Sequence, residues 1–215
     1  MGILTSVVML FLITAVIAYF CGCINGAIIV STFFCRDDVR THGSGNAGLT
    51  NFYRSYGAQY ALFVIAVDML KMVLAVVIAS ALSVYTGWPL IFKLWAGLFC
   101  VIGHMFPVTY KFKGGKGILS SGMLLWLIDW RVAAVAWGVF LLLCVLTRYV
   151  SLGSICCSLT VPVTMFVFYP GNWPAFALGT LIAALVVFAH RANLKRLLSG
   201  TESKFRFHKK GVDSK

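Results

Sequence analysis

The chain is 215 residues long, 60% hydrophobic and only 11% charged, with a formal net charge of +12. Soluble domains carry about 25% charged residues, so this composition excludes an ordinary water-soluble fold. The surplus of Lys and Arg admits nucleic acid, anionic headgroups or phosphorylated substrates, and where those residues fall decides among them.

From Met1 to Cys35 there is no Asp, Glu, Lys, Arg or His, and from Tyr149 to Ala189 there is again none. Both stretches exceed the roughly 20 apolar residues that one helix needs to cross a bilayer. Taking long apolar runs as helices, and Gly, Pro and charged clusters as connections, predicts seven spans near 3–34, 57–83, 90–107, 117–129, 131–147, 149–169 and 173–190. The first starts without the basic residues that open a secretory signal and is expected to stay as a helix. The fourth is short, at roughly 20 Å. Running 118–147 as one helix would instead put Asp129 and Arg131 at mid-bilayer, where each charge costs a few kcal/mol. The expected fold class is therefore all-α, a polytopic membrane protein forming one domain over 1–215.

With seven spans, the connections at 35–56, 108–116 and 148 and the stretch 190–215 share one side and hold all but three of the 18 Lys and Arg. Lys93 and Arg131 lie opposite, and Lys71 is inside a span. The positive-inside rule then puts the N-terminus outside and the C-terminus in the cytoplasm. Trp88, Trp126, Trp130 and Trp173 fall near outer span ends, where interfacial tryptophans belong. There is no internal repeat of the kind many transporters carry. The seven cysteines contain no C-x-x-C and sit largely in apolar runs, so neither a disulfide framework nor a metal site is indicated.

Three polar clusters fall on the basic side. The first, after His42, runs Gly43-Ser44-Gly45-Asn46-Ala47-Gly48-Leu49-Thr50-Asn51-Phe52-Tyr53-Arg54. Its glycines permit positive φ and close backbone approach, Ser44, Asn46 and Asn51 supply donors, and Arg54 can clamp a phosphate. The second joins Gly103-His104-Met105-Phe106-Pro107 to Lys111-Phe112-Lys113-Gly114-Gly115-Lys116-Gly117. Backbone N–H groups at the start of the helix after Gly117, with Lys113 and Lys116, suit an anion. It is no Walker loop, which needs Ser or Thr after Gly-Lys. The third is His190-Arg191-Ala192-Asn193-Leu194-Lys195-Arg196-Leu197-Leu198-Ser199-Gly200-Thr201-Glu202. On a helix His190, Asn193 and Arg196 share a face and offer a base, an oxyanion donor and a phosphate partner. Each cluster alone is also what a glycine-rich turn, a basic loop or a juxtamembrane helix contains. Asp68 and Lys71, three residues apart within a span, are expected to pair in the protein interior; a substrate contact for Lys71 requires it to reach the cytoplasmic end.

Taken together, Ser-Gly-Asn-x-Gly-x-x-Asn at 44–51 with Arg54, Gly-His-x-x-Pro-Val at 103–108 with Phe-Lys-Gly-Gly-Lys-Gly at 112–117, and His-Arg-x-Asn-x-x-Arg-Leu-Leu-x-Gly-Thr-Glu at 190–202 resemble the signature motifs of the bacterial acyl-phosphate-dependent glycerol-3-phosphate acyltransferases. The likeness spans the chain. Ala47 stands where the family usually has Pro, Leu49 where it has Ala, and Thr109 where it has an aromatic; none of these removes a donor.

The resemblance implies a seven-span inner-membrane enzyme of phospholipid synthesis with its motifs facing the cytoplasm. It implies acyl phosphate and glycerol 3-phosphate as substrates and membrane lipid as surroundings, with no cofactor, metal, nucleic acid or obligatory protein partner. Acyl phosphate is an activated mixed anhydride, so positioning and electrostatics suffice without a covalent nucleophile. His190, Asn193, Ser44, Asn46, Asn51 and Arg54 are the expected catalytic set. Lys113, Gly114, Gly115, Lys116, Gly117, His104, Lys71, Arg196 and Glu202 are expected to bind substrate. The proton acceptor stays open between His190 and a substrate phosphate oxygen. A His-x4-Asp dyad, as used with acyl-CoA or acyl carrier protein, is matched by His208 to Asp213, in a tail with no apolar framework to hold it.

Overall fold

A computed structural model describes residues 3–205, so His208 and Asp213 lie outside the described residues. Among the described residues the chain forms ten α-helices and two short 3-10 turns, with no strand. The helices are α1 (Ile3–Cys23), α2 (Gly26–Phe34), α3 (Leu49–Tyr56), α4 (Ala61–Ser83), α5 (Pro89–Met105), α6 (Ile118–Ile128), α7 (Trp130–Thr147), α8 (Val150–Phe168), α9 (Trp173–Ala189) and α10 (Arg191–Leu198). Among the described residues five segments are long and apolar enough to cross a membrane, α1 with α2 counting as one; joining α9 and α10, which are bent by 58°, makes a sixth. Helix α6 has 11 residues. At 1.5 Å per residue it covers about 16 Å of a hydrocarbon layer about 30 Å thick. The expected fourth span is thus a short helix packed among α4, α5 and α7.

The expected continuous helix over 3–34 is interrupted at Ile24 and Asn25, and the break explains the charges on α4. Asn25 caps α2 by accepting from the Ile28 N–H at 3.0 Å, while its amide donates to the Ala47 carbonyl at 3.1 Å. The Gly26 N–H, at the start of α2, donates to Asp68 Oδ1 at 3.1 Å. Lys71 donates to the Ile24 carbonyl, at the end of α1, at 2.7 Å and to Asp68 Oδ1 at 2.8 Å. An anion meets a helix N-terminus and a cation meets a C-terminus, as the backbone dipoles favour. Backbone groups freed by a break inside a membrane must find partners within the protein, and this pair supplies them.

Helix α5 is central and contacts α1, α4, α6 and α9. It meets α1 backbone to backbone: a Cβ on Gly103 would strike the Tyr19 carbonyl, and one on Gly22 the Cys100 carbonyl. Small residues permit such approach where lipid provides no hydrophobic drive between helices. One apolar cluster surrounds α5 through Met72, Phe92 and Val101, and a second lies between α6 and α9 through Leu125, Val132 and Met165. The space between the two is where the site forms.

Candidate active site

The fold brings the three polar clusters to one end of the bundle. The Lys116 ammonium, in the second, donates to the Asn193 carboxamide oxygen in the third. Arg54, in the first, donates from Nη2 to the Ser203 carbonyl at 3.0 Å. The Ala47 N–H donates to the Gly114 carbonyl at 3.4 Å, which ties the first cluster to the second.

Between them opens a cavity of about 350 Å³. Ser44, Asn46, Asn51, Arg54, Lys116, Gly117, His104, His190, Asn193, Arg196 and Glu202 line its polar end; Leu125, Ala136, Trp137, Phe140, Val161 and Ile182 line its apolar end. One space therefore joins a cationic, amide-rich mouth to a greasy interior.

Each polar group is held by others. Glu202 is the organiser of the third cluster: Oε1 accepts from Asn193 Nδ2 and from Ser151 Oγ, both at 2.8 Å, and Oε2 accepts from Arg196 Nε at 2.7 Å. Burial works against its carboxylate, but those donors hold the carboxyl below the usual range. Gly200, with φ of +71°, turns the chain after α10 and lets the N–H groups of Thr201 and Glu202 bond the Arg196 carbonyl, which brings the carboxylate back over the helix. Burial pushes the Lys116 ammonium down to about 8, with Glu202 opposing and Arg196 and Arg54 adding to the shift.

His190 terminates α9, and its Nδ1 lies 2.8 Å from the Val186 carbonyl, an acceptor only. Nδ1 therefore carries the proton, and in the neutral ring the Nε2 lone pair is left for the cavity. His104 is the converse. Its Nδ1 lies 2.6 Å from Lys71 Nζ, a donor only, so Nδ1 accepts and Nε2 carries the N–H. Asn51 works on the loop itself: Oδ1 accepts from the Ser44 N–H at 3.0 Å, and Nδ2 donates to the Val39 and His42 carbonyls.

Four expected site residues do not line this cavity. Lys71 lies behind it, its three protons taken by Asp68, Ile24 and His104. Lys113 lines a separate surface recess with Asp38, Arg40 and Lys111. Gly114 and Gly115 use their N–H groups on the Met105 and His104 carbonyls, and a Cβ on either would strike His104. Their want of a side chain lets the loop pack flat on α5. The N–H groups left for an anion are those opening α6 after Gly117, whose φ of +77° makes the turn.

A family model described as glycerol-3-phosphate acyltransferase matches residues 12–200. The chain belongs to this acyltransferase family. A glycerol-3-phosphate acyltransferase of Thermoanaerobacter pseudethanolicus is 42% identical over 192 residues, covering 89% of this chain and 94% of that relative. One from Fusobacterium nucleatum is 37% identical over 201 residues, 93% of this chain and 100% of its own length. The crystal structure of PlsY (YgiH), an integral membrane glycerol 3-phosphate acyltransferase, in its glycerol 3-phosphate form has a TM-score of 0.82 at 31% identity, covering 91% of this chain and 96% of that one. Its lysophosphatidic acid form gives 0.79 at 30% identity, with 91% and 95% covered. The protein is thus a multi-pass membrane acyltransferase.

Several lining residues of this acyltransferase carry no mark in the sequence. Ser151, which holds Glu202, and Trp137, whose indole N–H donates to the Gly122 carbonyl at 3.2 Å, sit in apolar runs like any span residue. Asn25 did carry a signal: a lone amide followed by glycine within an apolar stretch marks a helix break.

Proposed function

We propose that this chain moves a fatty acyl group from acyl phosphate to the 1-hydroxyl of glycerol 3-phosphate, giving 1-acylglycerol 3-phosphate and phosphate, the first acylation of phospholipid synthesis. The observation that carries this reading is the continuity of one cavity from Lys116, Arg54 and Arg196 to the apolar walls of α6 to α9. Such a space suits a molecule with a phosphate at one end and a tail at the other. The relatives' names and the two ligand forms of PlsY support glycerol 3-phosphate as acceptor and the lysophosphatidate as product.

In this mechanism the acceptor hydroxyl oxygen attacks the acyl carbonyl carbon. An ester C–O bond forms, the bond between the carbonyl carbon and the bridging oxygen of the anhydride breaks, and phosphate leaves with that oxygen. Lys116 and the opening N–H groups of α6 hold phosphate, Arg54 and Arg196 add positive charge, and Ser44, Asn46 and Asn193 orient the donor and meet the developing oxyanion. In this mechanism His190 Nε2 takes the hydroxyl proton. A phosphate oxygen of the substrate is the competing acceptor. Glu202 and Asn51 act by positioning these groups, and His104 Nε2–H faces the same space.

Arg54, Lys116 and Arg196, one from each cluster, meet at one end of the bundle, which supports a cytoplasmic site in the bacterial inner membrane and an N-terminus outside. The test of chemistry is a comparison of donors. Purified protein in lipid receives glycerol 3-phosphate with acyl phosphate, acyl-CoA or acyl carrier protein in turn. Lysophosphatidate from acyl phosphate alone is the expected result; product from a thioester donor and none from acyl phosphate overturns the reading.

A further inference from the structure

At the apolar end of the cavity the lining along α8 stops at Val161. On α8 the lining side chains include Ser151, Ser154, Cys157, Ser158 and Val161, which follow one face, and Val161 is the last of them along the helix. The hydroxyls of Ser154 and Ser158 donate back to the Val150 and Ser154 carbonyls at 2.8 and 2.7 Å, so the wall they form makes no polar demand on a tail. One turn beyond Val161 stands Met165, fully buried and outside the lining. Gly179 of α9 lies against it: a Cβ there would come within 3.0 Å of Met165 Cγ and 3.5 Å of Val161 Cγ1. The missing side chain at Gly179 is what makes room for Met165 one turn past the last lining residue of α8.

We propose that Val161 and Met165 form the end stop of the acyl site and set the length of acyl tail this enzyme transfers. The inference rests on the acyl phosphate reading above. From Ser151 to Val161, α8 rises about 15 Å. An extended hydrocarbon advances about 1.25 Å per carbon, so roughly a dozen carbons fill that depth. Up to the stop, each methylene buried improves binding about fourfold. Past it, a longer tail must displace Met165, whose unbranched, flexible side chain makes the stop yielding rather than absolute. Rate against tail length therefore rises and then falls.

The experiment is a homologous series of saturated acyl phosphates offered, with glycerol 3-phosphate, to the full-length protein in lipid. Met165→Ala moves the best substrate to longer tails by about three carbons, matching the three heavy atoms removed. Val161→Phe moves it to shorter ones, and Met165→Leu, which keeps the volume, leaves it in place. If Met165→Ala does not fold, Met165→Val carries the same prediction with a smaller shift. An active wild-type enzyme whose length profile is unmoved by these changes overturns the end stop alone. Wild-type protein inert toward the whole series overturns the donor reading, and this inference with it.

Discussion

Lys116 donates its ammonium proton to the carboxamide oxygen of Asn193, 77 residues further along the chain. That contact joins the glycine-lysine loop to the helix after the last span, and Glu202 holds the other side of the same carboxamide. A cation whose burial is only partly offset therefore sits at the mouth of the cavity, and the proposed mechanism has it exchange this amide partner for a phosphate.

The pH dependence follows from that position. Lys116 titrates near 8 because burial disfavours its charged form. Its ammonium is present below that pH and lost above it, so kcat/KM for glycerol 3-phosphate is flat below about 8 and falls about tenfold per unit above it. Lys116→Arg, which stays charged, removes this alkaline limb whatever its effect on rate. Lys116→Met lowers kcat/KM by about 10²–10³. An alkaline limb that survives in Lys116→Arg assigns it to another group.

For the proton acceptor, the Val186 carbonyl orients His190 with Nε2 toward the cavity. If that lone pair takes the hydroxyl proton, His190→Gln lowers kcat by about 10²–10⁴. Steady-state rates at saturating substrate decide the matter, and a loss of only a few-fold hands the role to a substrate phosphate oxygen.

Glu202 touches no reacting atom in the proposed mechanism, yet its replacement is costly. Glu202→Ala leaves Asn193, Ser151 and Arg196 without their common acceptor. Hydrogen bonds to charged groups contribute about 1.5–3 kcal/mol, so kcat/KM falls by about 10–150-fold. Glu202→Gln keeps one acceptor oxygen and recovers part of the loss. Equal losses in the two variants would show that the charge, rather than the bonding geometry, is what matters.

The pair on α4 affects stability more than chemistry. Lys71→Met strands a buried Asp68 carboxylate and costs about 3–5 kcal/mol. Asp68→Asn combined with Lys71→Met removes the charge while keeping an acceptor for the Gly26 N–H, and is less destabilised than Lys71→Met alone. Thermal unfolding in detergent measures both. A double variant as unstable as the single one would mean that the two charges are not coupled.

What the sequence determined alone was set by local chemistry. Composition and uncharged runs specify a membrane helix bundle, because lipid cannot solvate charge or bare backbone. The side on which Lys and Arg gather was also legible, and so were the residue types of the three clusters, because polar groups stand out against an apolar background. Only the tertiary structure decided which polar groups face substrate and which serve the fold. Gly114, Gly115 and Lys71 resemble ligand-binding residues in one dimension, but their N–H groups and ammonium are spent on His104, Met105, Asp68 and the break at Ile24. Which groups satisfy that break, and which side chains of α8 and α9 pack beyond the end of the cavity lining, depend on which helix lies across from which. Hydropathy averages over a span and carries no record of its neighbours, so contacts between α1, α4 and α5, or between α8 and α9, become visible only when the helices are packed together.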